Sequence, residues 1–586
     1  PETGNAAFSA KQDTVAARLH WIGATPAQAK PVRFGIPFNK GEMKPGSGFT
    51  LTTDRGEQLT ADFWPTAYWP DGSVKWGGFA AVVPSGTESL TFKPYNHKAS
   101  SQALAYAPSL TVAETELQIC ISSDNIKAYV PKSGSAIIDS LVLDGTQVAG
   151  SGYLVCTMQD QPYREGIGTI HYRDYISSIN KVEVERKGNV QAVVKIEGKY
   201  KLTSGTNLRA NEQSEALPFV VRLYFFAGSE QVRMVHSFIY DGDQYRDFIT
   251  SLGVRFEVPL REQAYNRHVA FATQDGGVWA ESVQPLNGRR VLGAGGAVSY
   301  EHLQVEGQRI PEPDAFDERG QDLLRHWAKW NTFRLSQLSD QGYTIRKRTH
   351  TGNQWVGTHS GRRAAGYAFA GDVSGGLGIS VKDFWESFPA SLQVDSATHD
   401  VAFLTAYLWS PDAEPMDLRH YDDIAHDLNA SYEDVQPGMS TPYGIARTSV
   451  LTIIPERAFP GKAAVAARAR QQAEDAPLVC TPEYLHSRRA FGVWSLPDRS
   501  NERRSQVEDM LTNYLDFYMQ AIDERHWYGF WNYGDVMHGY DPARHEWKYD
   551  VGGFAWDNTE LGSISWLWYS FLRTARPDLW RAAEAM

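Results

Sequence analysis

The densest group of side chains able to do chemistry lies between residues 527 and 558. Aromatic rings there alternate with carboxylates, amides, phenols and an imidazole. The candidates are Trp531, Asn532, Tyr533, Asp535, His538, Tyr540, Asp541, Trp556 and Asn558. Such rings stack on sugar faces while polar side chains hydrogen-bond hydroxyl groups, so we expect a sugar site in this segment. The alternative is an aromatic loop that packs as core between two helices, with its polar residues capping them.

A second candidate group is basic. The alternation of residues 343–348 predicts a strand, with Arg346 and Arg348 on one face and Lys347 on the other. Two guanidinium groups on one face suit a carboxylate, because arginine binds it bidentately. Trp355 and His359 follow closely and are candidate substrate contacts. The alternative is a solvated basic strand that balances nearby acidic residues.

The composition limits the partners. The 586-residue chain has 57 Lys and Arg against 69 Asp and Glu, giving a net charge of −12, which argues against nucleic acid. A small basic pocket can still hold an anionic sugar. Because the sequence lacks an uninterrupted apolar run of about 18 residues, we expect no membrane helix. The chain starts at Pro1 without a Met or a leader, so we expect a processed or engineered end from which any signal peptide has been removed. We expect a secreted or otherwise extracytoplasmic protein.

Cysteines and metal motifs are few. Cys120 and Cys156 could pair within one β domain, which would leave Cys480 over. Their spacing makes no zinc site, and no calcium-loop motif is complete. We therefore expect no cofactor and no metal site, although a calcium ion could replace arginine in neutralising a carboxylate.

The first 435 residues or so have the pattern of β-structure. Short alternating runs end in Gly, Pro and Asp turns, as at Trp69–Pro70–Asp71–Gly72. A polar stretch at 95–108 predicts a first domain boundary near residue 100. Longer antiparallel strands then indicate a large sandwich. Residues 322–338 fit a helix or a strand equally well.

The pattern changes to helical after about residue 440. Residues 461–475 are rich in alanine, and residues 503–526 place apolar side chains three and four positions apart. A further helix is expected to begin with Asn558 as its N-cap and to end before Pro577. Another helix is expected to begin at Asp578, and no later helix follows it before Met586 against which it could pack. From this we expect further helices of the same domain beyond Met586.

Several long stretches resemble a known family. They are WPDGSVKW, YTIRKRT, GRRAAGYAFAGDVSGGLGISVKDFWESFPASL, YLWSPDAEPMDLRHYD and WYGFWNYGDVMHGYDPARHEWKYDVGGFAWDNTELG. Together they resemble the exo-rhamnogalacturonan lyase and YetA-like group, polysaccharide lyase family 26. The resemblance implies an N-terminal RIFT-type β barrel (1–100), a central antiparallel β-sandwich (101–440) and the start of a C-terminal α/α toroid (441–586).

The resemblance also implies a reaction, β-elimination at a uronate within a rhamnose–galacturonate chain of a plant or algal polysaccharide. Arg346 and Arg348 would neutralise the uronate carboxylate, which makes the C5 proton acidic enough to remove. His538, Tyr533 or Tyr540 would serve as base and acid, with Lys347 in reserve if burial lowers its pKa. One bound uronate would then place Arg346 or Arg348 within about 10 Å of His538.

Other functions stay open at this point. A glycoside hydrolase needs two carboxylates flanking the bond, and Asp535, Asp541, Asp557 and Glu560 could supply a pair. A lyase could instead act on another uronan such as ulvan, and a non-catalytic carbohydrate-binding protein would need only the rings. Exo action, the expected mode, depends on a loop that blocks one end of the cleft.

Overall fold

The computed structural model describes residues 16–95, 110–165, 168–205, 214–287, 299–419, 441–473, 477–537, 540–541, 543, 546–547, 556–558 and 562–586. These residues form two compact units. Unit 1 comprises Pro1–Ala107, Ala476–Thr512 and Ser565–Arg581, and unit 2 comprises Pro108–Asp475, Asn513–Ile564 and Ala582–Met586.

Unit 1 contains two small antiparallel sheets around an aromatic core. The five-stranded sheet has the order Leu478–Cys480, Ala17–Trp21, Ser89–Tyr95, Gly48–Thr53, Gln58–Leu59. The three-stranded sheet has the order Lys30–Pro37, Val74–Val83, Ala61–Tyr68. Phe79 lies at the centre of the core, with its ring 5.0 Å from Phe92 and 5.4 Å from Phe34. The predicted turn after Trp69 joins two strands, and Gly72 adopts the left-handed φ of 79° that favours glycine.

Three helices near the end of the chain correspond to predicted helical segments: Glu502–Glu524, Ser563–Thr574 and Pro577–Ala585. The sequence did not predict the helix Pro482–Arg488. The helix expected to start after Asn558 begins only at Ser563, so the prediction of Asn558 as its N-cap was wrong. In Glu502–Glu524 the predicted apolar face is largely exposed, as Val507 and Met510 at 54% show.

Unit 2 is dominated by one antiparallel sheet of 16 strands. Its order is Val278–Ser282, Arg267–Ala272, Tyr367–Asp372, Gly375–Val381, Ala446–Glu456, Val232–Ile239, Glu215–Phe226, Gln191–Gly205, Tyr172–Lys187, Gly152–Gln159, Phe248–Pro259, Val401–Trp409, Ala390–Asp395, Thr332–Ser339, Gly342–Arg348, Val356–Gly361. Alternate residues of these strands form one large apolar core. The strand Ala446–Glu456 lies in the interior of this order, so sheet structure continues past residue 440.

Smaller elements complete unit 2. A five-stranded sheet has the order Thr146–Ala149, Ser140–Leu143, Ile126–Pro131, Gln118–Ser123, Leu110–Glu114. The α-helices are Tyr300–Val305, Glu318–His326 and Gly461–Ala473, and the 3-10 helices are Ala264–Asn266, Gln274–Gly276 and Pro313–Ala315. Two short ladders pair Val536–Met537 with Trp556–Asp557 and Tyr540–Asp541 with Glu546–Trp547.

Two details of unit 2 settle questions that the sequence left open. Residues 322–338 are helix and strand in succession, because the helix Glu318–His326 ends shortly before the strand Thr332–Ser339. Cys120 and Cys156 could have paired, but both are free thiols, as is Cys480.

Candidate functional site

The segment that follows the helix Glu502–Glu524 is anchored to the sandwich of unit 2. The backbone amides of Gly529 and Phe530 donate to the carbonyl oxygens of Glu386 and Phe388, at 2.7 and 2.8 Å. Trp527 is buried beside Val536 and Met537. These contacts hold the start of the segment in a defined position.

Aromatic packing carries the segment onto the edge of the sandwich core. Phe530 is buried, and its ring lies 6.2 Å from Phe238 and 5.5 Å from Trp409. Trp531 crosses Phe530 edge-on at 5.0 Å. The indole Nε1 of Trp531 is buried and has no hydrogen-bond partner within the described residues. The first part of the aromatic segment thus packs as core, which was the alternative interpretation of the sequence. The Trp531 indole N–H takes no part in the hydrogen bonds described there.

Arg447 supplies the positive charge at this place. It lies on Ala446–Glu456 opposite Phe238, its Nη2 donates to Ser387 Oγ at 2.9 Å, and its guanidinium lies 5.4 Å from the Phe530 ring centre. Burial lowers the pKa of Arg447, and the nearby charge of Asp383 opposes this shift. The group stays protonated in any case, because arginine does not lose its proton in proteins.

Tyr533 and Asp535 both interact with the Arg447 guanidinium. Burial raises the pKa of Asp535 to about 6, a hydrogen bond from Asn558 opposes the rise, and the charge of Asp557 adds to it. A carboxyl with a pKa near 6 exchanges protons close to neutral pH, as a general acid or base must.

Backbone pairing brings Asp557 close to Asp535. Val536 and Asp557 are directly paired in the short ladder, so the two aspartates lie near each other. Oδ2 of Asp557 accepts from Ser563 Oγ, whereas Oδ1 is buried and has no hydrogen-bond partner among the residues that the structure describes. The site therefore contains two carboxyl groups of different character, one arginine and one phenol. We call Arg447, Tyr533, Asp535, Asp557 and Asn558 the acidic cluster.

Gly534 is needed where the chain turns into this cluster. Its φ is 111°, and a Cβ atom there would lie 2.4 Å from the backbone of Ala585. Any side chain would clash with backbone, so residue 534 must be glycine. The turn places Tyr533 and Asp535 on either side of it.

The structure brings together some of the predicted site residues of the 527–558 segment and separates others. Tyr533, Asp535 and Asn558 are together, whereas Asn532 is exposed. Tyr540 packs against the helix Glu502–Glu524, with its ring 5.5 Å from Phe517. His538 and the side chains of Asp541 and Trp556 lie outside the described residues, as does Glu560. The expected distance between His538 and the arginines thus stays a prediction.

Sequence reasoning missed Arg447, Asp383 and Ser387. Arg447 occurs in an ordinary strand pattern, in which alternation predicts only that its side chain points to one face. Asp383 and Ser387 lie about 60 residues earlier, beside the backbone that anchors Gly529 and Phe530. Only pairing of strands distant in the sequence reveals this group.

The basic residues form a separate group, which we call the arginine cluster: Arg334, Arg346 and Arg348 around Trp355. Their guanidinium carbons lie 5.0, 5.2 and 4.4 Å from the Trp355 ring centre. Asp412 accepts from Arg334 Nη1 at 2.6 Å and from Arg346 Nη2. Arg334, absent from the sequence candidates, is the cross-strand neighbour of Arg346.

Lys347 and His359 lie apart from the arginine cluster. Lys347 is on the opposite face of its strand, as alternation predicted, and its Nζ bonds both carboxylate oxygens of Glu281 at 2.6 Å. It also lies 4.0 Å from the Trp330 ring centre. His359 Nε2 lies 3.0 Å from the Tyr343 hydroxyl. Both side chains therefore have structural partners of their own.

Two negative findings concern the described residues alone. Within them, no three His, Cys, Asp or Glu side chains are grouped so that they could hold a metal ion. None of the helices in this part of the chain combines the length and apolar character that a membrane span requires.

The fold defines a multidomain protein that joins a β barrel, a large β-sandwich and a helical C-terminal part. Family models match each part: the PcRGLX-like N-terminal RIFT barrel domain over residues 15–94, the central β-sandwich domain over 110–470 and the C-terminal α/α toroid domain over 475–586. The chain belongs to the PcRGLX-like family, which confirms the resemblance and the fold class inferred from the sequence.

Individual relatives agree with this assignment. The chain is 34% identical over 572 residues to YetA of Bacillus subtilis (strain 168), an uncharacterized protein. The match covers 97% of this chain and 64% of YetA, so the chain spans somewhat less than two thirds of that relative.

Likeness to solved structures is weak. A glycosyl hydrolase family 38 protein from Enterococcus faecalis has a TM-score of 0.41 at 10% identity, covering 78% of this chain and 46% of that protein. A galactose mutarotase-like protein from Lactobacillus casei has a TM-score of 0.25 at 10% identity, covering 59% of this chain and all of that protein. Similarity at this level says nothing about activity.

Proposed function

We propose that this protein is a secreted polysaccharide lyase that cleaves a rhamnogalacturonan I type of chain at its uronate units, acting from chain ends. Membership of the PcRGLX-like family supports the substrate class. The observation that carries the reaction type is the electrostatic interaction of one partly buried guanidinium, that of Arg447, with both Tyr533 and Asp535. These groups supply the charge, the acid and the base that elimination needs.

The first requirement is to neutralise the uronate carboxylate. The C5 proton is weakly acidic, because its removal places more negative charge on a group that is already an anion. Arg447 lies in a partly buried place with Phe530 beneath it, where charge interactions are stronger than in water. Its guanidinium can bind the carboxylate and stabilise the charge that develops as the proton leaves.

Two proton transfers complete the reaction. Asp535 in its ionised form takes the C5 proton, and the electron pair of that bond forms the C4–C5 double bond. The bond from C4 to O4 breaks, and Tyr533 gives its phenolic proton to the leaving O4. Solvent then reprotonates Tyr533 and takes the proton from Asp535. His538, which the sequence suggested as the base or the acid, stays a predicted base.

Digestion of rhamnogalacturonan I, beside homogalacturonan and ulvan, tests this proposal. Elimination creates an unsaturated uronate that absorbs in the ultraviolet, whereas hydrolysis and simple binding create none. We expect absorbance to rise with rhamnogalacturonan I and with neither of the others. Short unsaturated products from the outset indicate exo action, whereas an early fall in viscosity would contradict it.

Arg447→Gln tests the assigned neutralising group. Loss of one preorganised stabilising group lowers turnover by about 10²–10³-fold. Arg457→Gln is the matched control, because Arg457 is an exposed arginine that pairs with Glu230 and Asp144 and lies just after the same strand. Wild-type turnover in folded Arg447→Gln would overturn this role.

A glycoside hydrolase is the second candidate, and the two aspartates favour it. Asp535 has a raised pKa and lies near Asp557, and hydrolases use one protonated and one ionised carboxyl group. Reducing sugar released without ultraviolet absorbance would support hydrolysis and contradict the lyase.

A further inference from the structure

The arginine cluster belongs to a row of polar side chains that crosses six neighbouring strands. Direct cross-strand pairing runs from one end of the row to the other. Its members are Arg346, Arg334, Gln393, Thr405, Arg255 and Tyr153. Paired residues share a face of the sheet, and the strands lie about 4.8 Å apart, so the row is about 24 Å long.

Hydrogen bonds stiffen this row. Arg334 Nε donates to Gln393 Oε1 at 2.6 Å, and Arg255 Nε donates to Thr405 Oγ1 at 3.0 Å. Arg255 Nη2 also donates to the Tyr407 hydroxyl at 3.1 Å. The guanidinium groups are thereby held in place before any ligand arrives, which lowers the entropic cost of binding.

The arginine cluster carries more positive than negative charge. Asp412 contacts Arg334 and Arg346, and Asp395 acts on Arg348 electrostatically. Among the described residues, three cations thus face two anions. The Nε atoms of Arg346 and Arg348 are both buried and have no hydrogen-bond partner in the described part of the chain. An added anion would balance the charge and could accept from arginine donors.

No side chain described in the arginine cluster is suited to proton transfer. Burial alone would raise the pKa of Asp412, but Arg334, the Ser336 hydroxyl and Arg346 together lower it. A carboxylate engaged in this way is a poor base, since an efficient catalytic group has a pKa near the working pH. The cluster can therefore hold an anion without reacting with it.

The arginine cluster and the acidic cluster are connected by one stretch of chain. The carbonyl oxygen of Phe388 accepts from the Phe530 amide, and Gln393, five residues later, accepts from Arg334. Five extended residues span at most about 18 Å, which limits the distance between the Cα atoms of Phe388 and Gln393. The backbone that anchors Phe530 is thus continuous with the strand that carries Gln393.

We propose that the arginine cluster is a second carboxylate subsite, which binds a uronate unit of the polysaccharide other than the unit that reacts. Trp355 offers its indole ring beside that carboxylate. The proposal rests on the proposed function for the identity of the ligand. It gives Arg346 and Arg348 the carboxylate-binding role that the sequence suggested, but at a different sugar.

Calorimetric binding tests the subsite without turnover. The acidic probe is a rhamnogalacturonan oligosaccharide, and the reduced probe is the same oligosaccharide after its carboxyl groups are reduced to alcohols. The parent protein for both measurements carries Asp535→Asn. Adding Arg348→Gln should weaken binding of the acidic probe about 10- to 100-fold, the value of a charge-assisted hydrogen bond, and leave the reduced probe unaffected. Arg222→Gln, at an exposed arginine paired with Glu185, is the control and should change neither affinity.

Several outcomes would overturn the subsite. One such outcome is equal affinity of the parent protein for both probes. Another is equal affinity of the parent and of Arg348→Gln for the acidic probe. In otherwise native enzyme, a fall in kcat with unchanged KM would assign the cluster to the reacting uronate instead. Arg346→Gln repeats the measurement if Arg348→Gln does not fold. If the native enzyme binds as expected but produces no unsaturated sugar, the lyase proposal fails while the subsite stands.

Discussion

Asn558 hydrogen-bonds the carboxyl group of Asp535 across 22 intervening residues. The short ladder that pairs Val536 with Asp557 brings these side chains together. The bond favours the ionised form of Asp535, whereas burial favours the neutral form more strongly. The balance leaves Asp535 able to change its charge near neutral pH.

The pH profile of kcat/KM reports the role of Asp535. A carboxylate must be ionised to accept the C5 proton, so kcat/KM should rise with pH through about 6 and then level off. If Asp535 were instead the acid of a hydrolase, kcat/KM would fall above pH 6. Initial rates at low substrate concentration from pH 4 to 9 separate the two cases.

Asp535→Asn should stabilise the fold while it removes activity. The folded pKa lies above the unfolded value, so the native state binds more protons between about pH 4 and 6, and stability falls as pH rises through this range. Above pH 6 the variant avoids burying a charge and should gain on the order of 1 kcal/mol, because solvent screens this partly exposed carboxyl. Urea unfolding at pH 7.5 should show the gain, and at pH 3 parent and variant should agree.

Tyr533→Phe should lower kcat by about 10²–10⁴-fold, the usual contribution of a general acid or base. His538→Ala carries the same expectation from the sequence. Tyr540→Phe is the comparison, because the Tyr540 ring packs 5.5 Å from Phe517 on the helix Glu502–Glu524. Near wild-type kcat in a folded Tyr533→Phe protein would give Tyr533 a purely structural role.

Lys347→Met should affect stability rather than turnover. Removing the ammonium leaves Glu281 as an unpaired, mostly buried carboxylate, which costs about 3–5 kcal/mol. The double variant Lys347→Met/Glu281→Gln should recover much of this loss. Thermal unfolding and kcat are measured on the wild-type protein, on Lys347→Met and on the double variant. If kcat fell sharply in Lys347→Met while its unfolding temperature did not, Lys347 would be the reserve base that the sequence suggested.

The sequence by itself determined the class of each part of this protein. Period-two alternation predicted the antiparallel strands, and the change to a period near 3.6 predicted the helices Gly461–Ala473 and Glu502–Glu524. Its long motifs also identified the family. These signals are local, since neighbouring residues alone decide which face of a strand or helix a side chain occupies.

Only the tertiary structure decided which side chains meet. Alternation placed Arg346 and Arg348 on one face, but the partners Arg334 and Asp412 come from strands and loops paired at a distance. Arg447 joins Tyr533 and Asp535 in the same way, across more than 80 residues. The pKa of Asp535 follows from burial and from Asn558, and neither is visible in the sequence around it. Contacts of this kind depend on strand order and register, which hydrophobic periodicity alone does not specify.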